Sequence, residues 1–562
     1  MVLGLLPHLY MPLASATNPP MNWGYARTRE GFFYSVNRSQ YQGTLSSQLL
    51  RTLGRAVGAA PADPVPPEAA SGAGSAVFIR YQVRNGQLEF RVDVRNLASQ
   101  KTEKSFAIQL PAGGAPLRAG EEIAKRLAPS ARSFGTRDER ALREYVAALQ
   151  AGSAPDMAAA LQRAVAADPG FGEAWVAWVQ VLAEAGRREE ALAALEKAKQ
   201  GGRLIGQIER ARLDWLGATL TGDAKEQMRA LTLLATLLPG DVVALTAAAR
   251  AEQSGGRHAE AAAWFRKAAA ADPRPAPWWN QALYASAYAG DWPGVQSAFE
   301  GYRKAAPDDP NAFDSLGEAA FHLGRFVEAD NAFGEAYRLN AAFLQGLTMY
   351  KAALAQWMAG NSERAQERFR QFLDKRREDQ DPLAGYWEAR WLCLTKGEDA
   401  AITAVEKWTA QAAAGDAKAL GLAQAAVWRL AKGHMKQAQD LSRLAMAEAR
   451  SPAARAAAAA AVFAASPQSS GRAPDPWLAH RLLLRGRFAE AIPALERMCS
   501  RGTPGENGGA AALLAWAYLE SGNAGEARRR AARFPIPAAA AEDIFEFLPY
   551  SRLPAVRKAL GL

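Results

Sequence analysis

The sequence predicts a mainly α-helical fold, in which helical hairpins stack side by side as an α–α superhelix (a solenoid) that follows a small α/β domain. Three observations predict it. Glycines recur at a near-constant spacing, apolar residues three and four positions apart flank them, and one upstream stretch alternates between apolar and charged residues. At 562 residues and 49% hydrophobic content, the chain is long enough for such an array together with a smaller domain.

Residues 1–44 are predicted to form an irregular N-terminal segment. Residues 8–42 contain the short runs Asn18-Pro19-Pro20, Asn22-Trp23-Gly24, Arg27-Thr28, Gly31-Phe32 and Gln40-Tyr41. This pattern resembles a lumen-side loop of multi-pass bacterial membrane glycosyltransferases akin to protein O-mannosyltransferases. That family's membrane helices and acidic catalytic loop do not precede the pattern in this sequence. Two interpretations stay open: a fusion, truncated gene or mis-set start, and a link to surface glycosylation.

A small α/β domain is predicted over residues 45–135. Leu88 to Val94 alternates between apolar and charged residues, which is typical of a half-buried strand, and Asn85-Gly86 favours a two-residue β-hairpin. The predicted elements are a helix over 45–57, a three-stranded antiparallel element over 77–83, 88–94 and 105–110, and a helix over 117–127. This order, followed by helical repeats, resembles the small α/β domain related to the TolB N-terminal domain. The resemblance brings no catalytic residues with it.

The repeat array is predicted over residues 136–465. Intervals of 36, 34, 34, 34, 36, 37 and 36 residues separate Gly186, Gly222, Gly256, Gly290, Gly324, Gly360, Gly397 and Gly433. The best-defined unit has the helix-spaced residues Phe313, Leu316, Gly317, Ala320, Gly324, Ala329, Phe333 and Ala336. This pattern resembles the tetratricopeptide repeat (TPR), in which glycine ends the first helix and small residues let the second helix nest against it.

Residues 466–476 are rich in turn-forming residues and are predicted to be a loop. They account for a gap of 53 residues between Gly433 and Gly486, after which the spacing of 36 resumes at Gly522. Residues 477–562 are therefore predicted to contain further TPR-like units and short capping helices. The capping region contains Pro535, Pro537, Pro549 and Pro554.

Composition and motifs argue against several function classes. The net charge of +10 comes from 67 basic and 57 acidic residues that are interleaved, whereas nucleic-acid binders cluster their basic residues. Two cysteines and five scattered histidines predict neither a disulfide framework nor a metal site. Phosphate-loop, nucleophile-elbow and zinc-protease motifs are absent, so we expect no catalysis and no cofactor. No apolar run reaches the roughly 18 residues of a membrane span.

The TPR resemblance implies that the first helix of each unit lines a concave groove. Mapped onto this chain, the candidate partner-binding residues are Arg212, Arg250, Asn280, Tyr284, Glu318, Phe321, Tyr350, Trp357, Trp387 and Trp391. Aromatic residues dominate from Tyr284 onward, and aromatics are enriched in binding hot spots. For Trp357 and Trp391, ordinary packing between repeats is an equal alternative.

The sequence therefore predicts a non-enzymatic protein–protein interaction scaffold, with an apolar or amphipathic peptide or a protein of unknown identity in the groove. One alternative is the soluble tail or an accessory of a bacterial envelope glycosyltransferase or surface assembly system. A third hypothesis is RNA binding by a helical repeat, against which the mixed charge argues. A cytoplasmic and a periplasmic location both stay open.

Overall fold

The computed structural model describes the chain with several gaps. The described residues are 24–27, 33–36, 75–84, 87–96, 101–111, 122–123, 125–127, 135–200, 205–466, 474–501, 503–505, 507–537 and 540–562. The chain divides into two compact units. Unit 1 is Met1–Gly256 with Ala263–Trp278, and unit 2 is Arg257–Ala262 with Trp279–Leu562.

An antiparallel sheet in unit 1 precedes the helices. Its strands, in spatial as well as chain order, are β1 (Gly24–Arg27), β2 (Phe33–Val36), β3 (Ser75–Arg84), β4 (Gln87–Asn96) and β5 (Thr102–Pro111). The three long strands confirm the predicted three-stranded element. Arg84 lies opposite Gln87, so only two residues connect β3 to β4, as the Asn85-Gly86 pair predicted. The short strands β1 and β2, which lie in the segment expected to be irregular, were not predicted.

The alternation read from the sequence is visible in β4 and β5. Phe90 and Val92 are buried while Arg91 between them is exposed, and Phe90 pairs with the buried Ile108. Such cross-strand apolar pairs are what holds a small sheet together. The predicted helix over 45–57 lies outside the described residues. Within 117–127, residues 122–123 and 125–127 are helical.

Among the described residues from 135 onward, seven helices lie wholly in unit 1: α1 (Glu139–Gln150), α2 (Ala154–Ala167), α3 (Gly172–Glu184), α4 (Arg188–Gln200), α5 (Gln207–Thr221), α6 (Ala224–Leu237) and α7 (Val242–Ser254). Consecutive helices pack as the pairs α1–α2, α3–α4 and α5–α6, and α6 also packs on α7. Two more helices, α8 (His258–Ala271) and α9 (Ala276–Ala289), contribute residues to both units.

Unit 2 contains the remaining helices: α10 (Trp292–Ala305), α11 (Pro310–His322), α12 (Phe326–Leu339), α13 (Leu347–Met358), α14 (Ser362–Glu378), α15 (Ala384–Lys396), α16 (Glu398–Gln411), α17 (Asp416–Ala431), α18 (Met435–Glu448), α19 (Pro452–Ala465), α20 (Asp475–Leu484), α21 (Phe488–Cys499), α22 (Gly508–Glu520), α23 (Ala524–Arg530) and α24 (Phe547–Leu560). Hairpins form from α11–α12, α13–α14, α15–α16, α17–α18, α20–α21 and α22–α23, while α24 packs against α22 and α15. This array of repeated α-helical hairpins confirms the predicted mainly α-helical repeat fold.

The periodic glycines sit at the turns inside the hairpins, all with positive φ: Gly186, Gly222, Gly256, Gly290, Gly324, Gly360, Gly397, Gly433, Gly486 and Gly522. Glycine reaches this left-handed backbone without the steric penalty of a Cβ. The glycine period in the sequence is therefore the period of the hairpins. Gly317 has a different role, since a Cβ there would lie 2.5 Å from the Phe333 ring, which confirms that it permits close approach of α11 and α12.

Replacing Gly360 by alanine is expected to lower the free energy of unfolding of unit 2 by about 1 kcal/mol. The φ angle of Gly360 is +81° and the space around it is open, so the loss would come from backbone strain and not from a steric clash. Gly525→Ala is the matched control, since Gly525 is exposed in α23 and its nearest neighbour would lie 3.9 Å from the new Cβ. Urea unfolding followed by tryptophan fluorescence measures both. Equal losses in the two variants would contradict this explanation of the glycine period.

Candidate functional site

Two predicted partner-binding residues, Arg212 on α5 and Arg250 on α7, belong to unit 1. Arg250 is exposed, whereas Arg212 is buried. The side chain of Asp241 caps the start of α7 by accepting hydrogen bonds from the N–H groups of Val243 and Ala244. Burial raises the pKa of Asp241 to about 6, and the positive charge of Arg212 opposes that shift. Arg212 thus supports the capped start of α7, and Arg250 is the accessible one of the two.

The other eight predicted residues belong to unit 2, and all lie on first helices of their hairpins: α9, α11, α13 and α15. Four are buried: Phe321, Tyr350, Trp387 and Trp391. Four are partly buried: Asn280, Tyr284, Glu318 and Trp357. In this conformation a partner cannot reach the buried four, so their part in binding stays a prediction.

Tyr284 and Glu318 belong to a buried polar cluster whose centre is Lys351, a residue the sequence analysis did not select. The ammonium of Lys351 donates to Asp314 at 2.8 and 2.9 Å and to Glu318 at 2.6 Å. The Tyr284 hydroxyl donates to the other oxygen of Glu318 at 2.5 Å. The cluster joins α9, α11 and α13, one first helix in each of three successive hairpins, by charge-assisted hydrogen bonds.

Burial governs the protonation of this cluster. It raises the pKa of Asp314 to about 6, although the nearby Lys351 pulls it down. Burial alone would lower the pKa of Lys351, but Glu318 and Asp314 raise it above its ordinary value. One cation therefore faces two carboxyl groups in a site that is largely closed to solvent. Lys351 is the essential member of the cluster, because its removal would leave both buried carboxyl groups without a cation.

The buried aromatic residues form a continuous core between α13, α14 and α15. Tyr350 lies 5.2 Å from Trp387 and 5.5 Å from Phe372, measured between ring centroids. Trp391 stacks on Phe369 at 4.7 Å with an interplanar angle of 7°. Phe372 and Phe369 belong to α14, so these contacts fill the space inside a hairpin and between neighbouring hairpins. Trp391 is packed in this core and Trp357 is half-buried against it, and the part of either residue in partner binding stays a prediction.

The chain's own C-terminal end lies on the first helices of unit 2. Residues 531–546, called here the C-terminal segment, connect α23 to α24 and contain no helix or strand among their described residues. Phe534 donates its N–H to the carbonyl of His322 at 3.1 Å, and Nδ1 of His322 lies 2.9 Å from the carbonyl oxygen of Phe534. Because a carbonyl only accepts, His322 carries its proton on Nδ1. Segment and helix α11 are thereby joined by two hydrogen bonds.

Further along the segment, donors from α15 and α17 bind its carbonyl oxygens. The Tyr386 hydroxyl donates to Ala541 and the Arg390 guanidinium to Ala540, both at 2.7 Å. The Gln424 amide donates to the carbonyl of Ile544 at 2.9 Å. We call His322, Tyr386, Arg390 and Gln424 the carbonyl-binding row. The row supplies the hydrogen bonds that a buried irregular backbone cannot obtain from a helix or sheet.

Two side chains anchor the segment at its ends. The Phe534 ring packs edge-on against Phe326 at 4.8 Å, and the Arg557 guanidinium lies 4.6 Å from its centroid. At the other end Glu546 forms a buried ion pair with Arg390, whose guanidinium also serves the carbonyl-binding row. The segment is therefore fixed by an aromatic group, a carboxylate and a series of main-chain carbonyls.

A cavity of about 460 Å³ borders the carboxyl end of the C-terminal segment. Its walls come from α19, α20, α22 and the residues around Phe545, and alanine is the commonest lining residue. His480 stacks flat on Phe545 at 4.3 Å, and burial lowers the pKa of His480. The segment thus forms one wall of this cavity.

The carbonyl-binding row lies one residue away from the positions chosen in the sequence analysis. Phe321 was selected where His322 binds the segment, and Trp387 and Trp391 were selected where Tyr386 and Arg390 bind it. One residue corresponds to a rotation of about 100° around a helix. The large aromatic residues turn into the core, and their polar neighbours face the segment. The spacing of four between Tyr386 and Arg390 was the available signal, since it puts both on one helix face.

Chemistry-bearing groups elsewhere are few. Burial raises the pKa of the Cys393 thiol well above its ordinary value, which disfavours the reactive thiolate. Among the described residues, no group of three or more His, Cys, Asp or Glu side chains is placed to hold a metal ion. A search of the same residues finds no helix with the length and apolar character needed to cross a membrane.

No protein-family model and no curated protein matches the chain. Among solved structures it is similar to one titled "Crystal structure of MamA protein", with 16% identity, a TM-score of 0.25 and coverage of 31% of this chain and 93% of that chain. A second MamA structure is similar at 17% identity and a TM-score of 0.24, with coverage of 30% of this chain and 96% of that chain. The structure of yeast Tom70 is similar at 12% identity and a TM-score of 0.30, with coverage of 72% of this chain and 92% of that chain. Identities and TM-scores in this range establish no shared function.

Lys351→Met is expected to lower the free energy of unfolding of unit 2 by about 3–5 kcal/mol, because the buried carboxyl groups of Asp314 and Glu318 lose their cation. Lys432→Met is the matched control: Lys432 pairs with Asp399 at 2.9 Å, but both side chains are exposed and the loss is expected to be small. Urea unfolding measures both variants. Comparable losses would mean that the cluster does not stabilise unit 2.

His322 is expected to make stability fall with acidification. Burial lowers its pKa to about 4, with Arg533 adding to the shift and the bond to Phe534 opposing it. Between that value and the ordinary 6.5, the unfolded chain binds a proton that the folded chain does not. The His322 contribution is thus complete above pH 6.5 and declines as the pH falls towards 4. At pH 5 the decline amounts to about 2 kcal/mol.

The measurement is the difference in unfolding free energy between wild type and His322→Gln from pH 7 to pH 5. A difference is needed because Asp314 and Asp241, whose pKa values are raised, bind protons more readily in the folded chain and so change stability in the opposite direction with pH. The wild type should lose its advantage over the glutamine variant as the pH falls. A constant difference would contradict the buried, neutral state of His322.

Proposed function

We propose that this chain is a non-enzymatic scaffold that binds a protein or peptide through the first helices of its repeat array. The single observation that carries the proposal is the carbonyl-binding row. Side chains on three first helices of unit 2 bind the main chain of an irregular segment, and the same donors are suited to the main chain of a peptide ligand. These donors, all directed at one main chain, support the proposal.

A second surface for a partner is the first-helix face of unit 1. Arg250 on α7 is exposed there, and no part of the C-terminal segment belongs to this unit. Arginine is enriched in protein interfaces because its planar guanidinium binds carboxylates and carbonyls with several hydrogen bonds. We therefore place the initial test of the scaffold function at Arg250, whose side chain is exposed.

In the test, a photo-cross-linking amino acid replaces Arg250 in the full chain. We expect this amino acid to form a covalent adduct with one protein partner. The matched control places the same amino acid at Leu233, which is 45% exposed on the second helix α6. Cross-linked products are separated by gel electrophoresis and identified by mass spectrometry. A partner captured at position 250 and not at 233 supports binding by first helices. Equal capture at both positions, or none at 250, would contradict it.

The alternative of an envelope glycosyltransferase accessory stays a prediction. The residues that carry that resemblance lie mostly outside the described residues, and the two short strands among them, β1 and β2, pair with each other and with β3. The resemblance to the TolB N-terminal domain likewise stays a prediction, since the sheet alone is common to many small domains.

A further inference from the structure

The C-terminal segment occupies unit 2 in the manner of a ligand. Loops longer than about 12–15 residues without secondary structure are uncommon inside compact domains, and those that occur are often functional. This one covers residues 531–546, and Phe534, Ile544 and Phe545 within it are buried. Side chains on α11, α15 and α17, more than 100 residues away in the sequence, donate hydrogen bonds to it, and Tyr550 and Arg557 on α24 donate two more. The surrounding helices thus bind the backbone of an irregular segment, in which residues 541–542 and 544–546 form turns.

We propose that the carbonyl-binding row is a binding site for a peptide with an aromatic–proline start and a turn-forming acidic end, and that the C-terminal segment occupies this site as an intramolecular ligand. The proposal rests on the proposed scaffold function and names the class of its partner. The site is occupied in the free chain, and a partner binds by replacing the segment.

The contacts define the partner's chemistry. Phe534 fills a position beside Phe321 and Phe326, so the partner needs an aromatic residue there. Pro535 and Pro537 follow it, and proline favours the extended backbone that exposes its carbonyls. The carbonyls of Ala540, Ala541 and Ile544 are bound without regard to side chain.

Arg390 is the reason why the partner peptide needs an acidic residue at its end. Its guanidinium is buried and pairs with Glu546, so a partner that replaces the segment must bring its own carboxylate to the same place. Without one, a buried charge would remain uncompensated. The aromatic residue and the carboxylate stand 12 positions apart in the segment, and we expect the same separation in a partner.

The intramolecular arrangement makes the site selective. A tethered segment competes at an effective concentration on the order of millimolar, so a free peptide must exceed that to displace it. The tether has room to move, because 16 residues reach up to about 53 Å when extended. Meanwhile α24 stays anchored by buried residues such as Leu553 and Leu560. Release of the segment opens the row and breaks the contacts that Tyr550 and Arg557 make with it, while the other buried residues of α24 keep that helix in place.

The test uses the full chain and a fluorescein-labelled peptide with the sequence of residues 533–546, RFPIPAAAAEDIFE. The variant Phe534→Ala/Glu546→Gln weakens both anchors of the tethered segment while leaving the row intact. Fluorescence anisotropy should show that this variant binds the peptide about tenfold or more tightly than wild type does, because its competitor is weakened. The control variant Glu490→Gln, which alters an exposed pair with Arg487, should bind like wild type.

Adding Tyr386→Phe to the weakened variant removes one hydroxyl that donates to the segment's backbone, and should reduce peptide affinity about fivefold. A peptide in which the phenylalanine at position 534 and the glutamate at position 546 are replaced by alanine and glutamine should bind poorly. Unchanged binding after Tyr386→Phe, or equal binding by wild type and the weakened variant, would overturn the proposal. So would a dimer of the full chain that exchanges C-terminal segments, since the occupant would then be a second copy.

Native-state hydrogen exchange decides the question even if the weakened variant does not fold. In wild type, amides of residues 540–546 should exchange by local opening that is insensitive to low urea, while Leu553 in α24 exchanges by global unfolding. Identical rates and urea dependence would make the segment a permanent part of the core and overturn the proposal. A partner cross-linked at Arg250 together with a failed peptide experiment would leave the scaffold function standing and remove only this inference.

Discussion

The hairpin turn at a left-handed glycine is the constraint on which the rest of the array depends. From Gly186 to Gly522 the chain reverses direction at a residue whose backbone other amino acids adopt only with strain. The turn fixes where each first helix ends and each second helix begins, and so fixes the rotation of the first helices. Residues from successive hairpins then face the same side. The polar cluster around Lys351 shows the result, because it draws on three successive first helices.

The same alignment brings the carbonyl-binding row together. His322, Tyr386, Arg390 and Gln424 are spread over about 100 residues of sequence, yet they contact one continuous stretch of backbone. Since a buried carbonyl without a donor is costly, the row and the segment stabilise each other. The ion pair between Arg390 and Glu546 adds a charged anchor at one end, and the ring of Phe534 adds an apolar anchor at the other.

The fold could be predicted from the sequence because its signals are local. Glycine spacing, small residues such as Ala329 and the Asn85-Gly86 pair each report on a few neighbouring residues, and the structure confirms the repeats and the long strands. The site was harder to predict because its register is a tertiary property. Whether Tyr386 or Trp387 faces the segment depends on which of the two packs into the core. Trp387 does so, because its ring packs against Phe372 of α14. Nothing local indicated that residues 531–546 would fold back onto α11 and α15.

The way the row holds the segment has a consequence for how this chain can change over evolutionary time. Donors that bind carbonyl oxygens are indifferent to the side chains attached to that backbone, so positions such as Ala540 and Ala541 are free to drift among small residues. Phe534 and Glu546 carry the side-chain contacts and are the positions where substitutions are felt. Divergence between orthologues should therefore be uneven within a dozen residues, with fixed ends and a variable middle.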